Sequence, residues 1–60
     1  MPRIELDEHE ATVLAQILED FVSEVRMEIA NTDSQEFRDD LKEREKIAKE
    51  LLGRLGRPVS

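Results

Sequence analysis

Leu14-Ala-Gln-Ile-Leu-Glu-Asp-Phe-Val-Ser-Glu-Val-Arg-Met-Glu-Ile29 is the stretch that decides the fold. Leu14, Leu18, Phe21, Val22, Val25 and Ile29 recur in it at steps of three and four. At about 100° per residue they share one face of a helix. Strands need an alternating pattern, and this stretch has none. In 60 residues a single helix cannot bury such a face, so the rest of the chain must supply its cover.

Working toward the N-terminus, Asp7 is placed to cap this helix and Glu10, three residues on, to complete a variant of the capping box. Leu6 and Ala11 occupy the staple positions. Glu8 and Glu10 suit the positive end of the helix dipole. Met1 to Leu6 reads as a short extended arm lying against the helices. Toward the C-terminus the first helix should run to about Ala30, with Asn31 as a left-handed terminator. Asp33 and Ser34 compete as the next N-cap, and the pattern does not separate them. A second helix is expected over about 34–55, with Phe37, Leu41, Ala48, Leu51, Leu52 and Leu55 on its buried face. Gly53 weakens its last turn, Gly56 stops it and Pro58 lies beyond. The tail 57–60 is expected to fray. Two helices of similar length and a tight connection predict an antiparallel helical hairpin, one domain over 1–60.

The apolar stripe is wider than one partner helix can cover. Val13 and Ile17 extend it on the first helix; Ile47, Leu51 and Leu52 extend it on the second. The expected cover is another copy of the chain, so the sequence predicts an all-α hairpin that dimerises into a four-helix bundle. The residues expected to carry the assembly are Leu14, Ile17, Leu18, Phe21, Val25, Phe37, Leu41, Arg44, Ala48, Leu51, Leu52 and Leu55. Folding and association should then be one event. A heteromeric protein partner with its own apolar face is the alternative cover.

Arg44 stands out because it interrupts the apolar stripe between Leu41 and Ala48. Asp40, four residues earlier, is placed to hold its guanidinium. Arg44 then serves either as a seam residue that pairs with an acid of the partner or as a side chain that snorkels to the bundle edge. Asp20, Glu24 and Glu28 form an acidic row beside the Phe21–Val25 face; they repel one another mildly and are expected to pair with bases of the second helix or of a second chain, with a hard cation or a basic partner as the alternative. Arg38, Lys42, Lys46 and Lys49 are read as a basic row opposite the core of helix 2. Asp39, Glu43, Glu45 and Glu50 flank it and cancel much of its field. No aromatic side chain interleaves with these bases to stack on nucleotides. Glu45 with Lys49, and Glu50 with Arg54, are favourable helical pairs.

Composition narrows function further. Charged residues make up 40% of the chain and the net charge is −6; the acids crowd residues 1–37 and most bases fall in 38–60, a split that suits two helices folded side by side. With no cysteine, disulfides and thiolate chemistry are excluded. His9, the single histidine, has no Glu-x-x-His context for a di-metal bundle and reads as a solvated first-turn side chain. Neither glycine belongs to a phosphate-binding loop. No catalytic, cofactor or metal site is expected, and no enzyme. The longest charge-free run, Ala11 to Leu18, is too short to span a bilayer, and Met1-Pro-Arg-Ile-Glu5 shows no apolar signal region. A cytoplasmic protein is the expectation.

In size and layout the chain resembles the Rop family, RNA-binding hairpins that dimerise into four-helix bundles. The likeness is architectural and no motif is shared, so no RNA-contacting residues carry over. The runs Ser23-Glu-Val-Arg-Met-Glu-Ile-Ala-Asn-Thr-Asp33 and Glu36-Phe-Arg-Asp-Asp-Leu-Lys-Glu-Arg-Glu45 resemble short uncharacterised bacterial helical-hairpin proteins, a likeness that implies no activity. The function expected is a non-enzymatic, self-associating helical module for assembly or protein interaction. A Rop-like RNA-binding regulator, and a subunit that caps a larger helical partner, are the alternatives.

Overall fold

The computed structural model describes residues 3–56. Expectations about Met1, Pro2 and the tail 57–60 lie outside them. The described residues contain two helices and no strand: α1, Glu8–Asn31, and α2, Gln35–Arg54. The helices pack against each other as an antiparallel hairpin. No helix among the described residues is long and apolar enough to cross a membrane.

The start of α1 follows from the capping box. The Asp7 carboxylate accepts the Glu10 backbone N–H at 2.7 Å, and the Glu10 carboxylate accepts the Asp7 N–H at 3.1 Å. Two backbone donors that a helix start leaves unsatisfied are thereby met. Residues 3–6 before it are exposed, Ile4 at 79%. An arm of alternating charged and apolar residues has no sheet to join and only a narrow helical surface to cover.

The connection departs from expectation at its first residue. Asn31 remains helical, and Thr32 ends α1 in an extended conformation with its N–H still bonded to the Glu28 carbonyl. Among the described residues the left-handed region is used only by Gly56, at φ 79°. The chain leaves the helix extended at Thr32, whose carbonyl accepts a hydrogen bond from the Arg38 guanidinium at 2.6 Å. Ser34, rather than Asp33, caps α2; its hydroxyl accepts the Phe37 N–H at 3.3 Å. At the far end Leu55 caps α2, and Gly56 turns the chain with its N–H on the Gly53 carbonyl.

Ala15, Val22, Val25, Leu41, Ala48 and Leu52 are the buried apolar side chains of the described residues. Ala15, Val22, Ala48 and Leu52 form one cluster, with Leu18, Phe21 and Leu55 packed against it. Two alanines at the centre let the helix backbones come close, but they also leave the core small. Ala15 was not among the side chains expected inside; an alanine contributes little to a hydrophobic periodicity. Phe37 and Leu51, expected on the buried face of α2, are 48% and 36% exposed. They lie to one side of the contact line, and a single opposing helix does not reach them.

The hairpin measures 40 × 24 × 15 Å. Two helices packed side by side make a single layer. Stable domains set at least two layers around a core, and here each helix meets only its neighbour in the plane.

Candidate interaction face

The two broad sides of this layer differ in chemistry. On one side the helices are joined by polar contacts. Arg26 of α1 donates from Nε to Glu45 Oε2 of α2 at 2.9 Å, and Lys49 Nζ stands 3.6 Å from the same oxygen. The hydrogen bond from Arg26 is the main reason the Glu45 carboxyl is held below the ordinary glutamate value; partial burial opposes it, and the charges of Lys49 and Arg26 support it. Arg38 closes the same side near the connection through Thr32.

This arrangement revises the expected basic row. Arg38 and Lys49 do not stand opposite the α2 core; both are half-buried at its border and are engaged within the hairpin. Lys42 and Lys46 remain exposed. The Glu45–Lys49 pair forms as the helical spacing predicts.

The other side carries the unspent apolar surface. Ile17, Leu18 and Phe21 of α1 and Arg44, Ile47, Ala48 and Leu51 of α2 line an open groove of about 350 Å³. Ile17 is 58% and Ile47 50% exposed. A second groove of about 240 Å³ continues toward the connection, lined by Phe21, Glu24, Val25, Glu28, Phe37, Asp40, Leu41 and Arg44. Phe21 and Arg44 belong to both, so the grooves form one continuous strip.

Along α1, Ile17 and Phe21 turn toward this strip because they sit on one edge of the core stripe, while Arg26 sits on the other edge. On α2 the same division sets Phe37, Arg44, Ile47 and Leu51 apart from Arg38, Glu45 and Lys49. The helical period therefore assigns each helix a polar flank and an apolar flank, and antiparallel packing puts like flanks on the same side.

The residues expected to carry assembly divide in three. Val25, Leu41, Ala48 and Leu52 are buried in the contact between α1 and α2. Leu14, Leu18, Phe21 and Leu55 are half-buried, while Ile17, Phe37, Arg44 and Leu51 are exposed. Ile47 belongs to the strip as fully as Leu51. Its signal in the sequence was the apolar widening of the α2 stripe.

Arg44 lies over the strip with its Nε 3.1 Å from Asp40 Oδ2, the pairing that the spacing predicts. Both side chains are more than half exposed, so the pair itself contributes little to stability. Glu24 and Glu28 make no ion pair among the described residues. His9 is exposed in the first turn of α1. No three histidine, aspartate or glutamate side chains among the described residues are grouped to hold a metal ion.

Comparison with known protein families, with curated proteins and with solved structures finds no match to this chain.

Proposed function

We propose that this chain is a non-enzymatic helical module that works by self-association, with two hairpins forming a four-helix bundle through the Ile17–Phe21–Phe37–Ile47–Leu51 strip. The observation that carries the proposal is the difference between the two sides of the hairpin. One side is closed by the Arg26–Glu45–Lys49 contacts; the other leaves Ile17, Phe37 and Ile47 about half exposed. Apolar side chains concentrated on one side mark an interaction surface, whereas the same residues scattered singly would mean nothing. The strip runs along α2 from Phe37 to Leu51, about 21 Å at 1.5 Å per residue, and so offers a second copy a continuous surface. A homodimer is the simplest symmetric cover.

Sedimentation and thermal melting across a hundredfold range of concentration test this reading. A mass of two chains and a melting temperature that falls on dilution are expected, because dilution favours the unfolded monomer. A constant melting temperature with the mass of one chain would refute it. A Rop-like RNA-binding role is supported less well, since Arg38 and Lys49 are already engaged within the hairpin. It would gain ground if RNA bound tightly with a steep salt dependence. Capping of a larger helical partner would gain ground if the isolated chain were poorly folded at every concentration.

A further inference from the structure

The strip has a direction. Ile17, Ile47 and Leu51 lie toward the chain ends, Phe21 and Arg44 lie midway, and Glu24, Glu28 and Asp40 lie toward the connection. A second copy can cover it about a two-fold axis in two ways. If the axis runs across the hairpins, the connections fall at opposite ends and each helix lies on its own copy. Arg44 near the middle of α2 then meets the partner's Arg44. The apolar end of one chain is pressed on Glu24 and Glu28 of the other, which removes charge from water without a counter-ion.

If the axis runs along the hairpins, the connections fall at the same end and every residue keeps its level. Each α1 then lies on the partner's α2; neighbouring helices are antiparallel in both arrangements. Ile47 and Leu51 meet the partner's Ile17, and Arg44 comes over the level of the partner's Phe21 and Glu24. Glu24 has no ion pair within its own hairpin among the described residues. The carboxylates of the two connection ends do approach one another. Each chain brings Arg44, already beside its own Asp40, to the same level as a counter-ion for them.

We infer that the second copy docks with the two connections at the same end and that Arg44 of each chain pairs with Glu24 of the other. This orientation rests on the self-association reading above.

The chain has no cysteine, so Asp33→Cys gives a unique labelling site in the connection. Spin labels there should lie within one bundle width, roughly 20 Å given interaxial distances of about 8–10 Å. Connections at opposite ends would separate them by nearly the 40 Å hairpin length. An independent arm uses Glu24→Arg and Arg44→Glu. Each variant alone sets like charges against each other across the interface and should dimerise about tenfold or more weakly than wild type. An equal mixture should form heterodimers that are clearly tighter than either variant's homodimer, because both cross-pairs regain opposite charges. Dimers with widely separated labels, or a mixture that shows no recovery, would overturn the orientation and leave self-association standing. A wild-type chain that sediments as a monomer would overturn both.

Discussion

Replacing Ile17 with aspartate separates the hairpin from the assembly. Ile17 is 58% exposed in the hairpin, so α2 covers less than half of it. Full burial of an isoleucine stabilises by about 1.5–3 kcal/mol. The part left for a second copy is therefore worth about 0.9–1.7 kcal/mol per chain. Symmetry counts it twice, giving about 2–3.4 kcal/mol per dimer, or roughly 30- to 300-fold in dissociation constant. An aspartate without a partner in that interface adds a desolvation penalty, so these figures are a lower bound. Met27 is the control. It is 65% exposed but lies outside the strip, and Met27→Asp should leave association unchanged. Analytical ultracentrifugation gives the dissociation constants, and far-ultraviolet circular dichroism follows helicity at the same concentrations. Among the described residues the hairpin core contains six buried apolar side chains, two of them alanine, so helicity of Ile17→Asp should fall as dimer is lost. Equal association of Ile17→Asp and wild type would refute the interface; a fully helical Ile17→Asp monomer would refute the coupling of folding to association.

Three further expectations concern the hairpin itself. A Cβ at Gly53 meets nothing within 4 Å, so Gly53→Ala should stabilise by about 0.5–1 kcal/mol through helix propensity, read as a higher melting temperature at fixed concentration. Ser34→Ala removes the hydroxyl that accepts the Phe37 N–H and should cost about 1 kcal/mol, whereas Asp33→Ala should cost less; equal losses in chemical denaturation would reassign the cap. Glu45 is held below its ordinary pKa chiefly by the Arg26 hydrogen bond, so its contribution is present above the unfolded value near 4.3 and is lost as pH falls through the lowered folded value. With Arg26 45% exposed, that contribution is about 0.2–1 kcal/mol. The stability difference between wild type and Glu45→Gln should shrink as the solution is acidified through that range, and a difference that does not change with pH would contradict the assignment.

Local signals in the sequence determined the helices. The Asp7–Glu10 capping box, the three-and-four spacing of Leu14 to Ile29 and the stop at Gly56 each depend on neighbours within one or two turns, so they can be read without a fold. The Asp40–Arg44 and Glu45–Lys49 pairs were legible for the same reason. The choice of Ser34 over Asp33 was not, because both residue types can cap an adjacent helix start. Nor could periodicity say which part of a broad apolar stripe faces the other helix. Phe37 and Leu51 share a helical face with Leu41 and Leu52, yet Leu41 and Leu52 are buried and Phe37 and Leu51 are not. That division depends on the rotation of α2 against α1, which Ala15 and Ala48 allow by close approach and which Arg26, Glu45 and Arg38 accompany on the opposite flank. The sequence alone thus determined two helices with more apolar surface than one hairpin can bury. Only the tertiary structure decided which side of the hairpin keeps it, because a side chain's exposure depends on the element packed across from it as well as on its place in the chain.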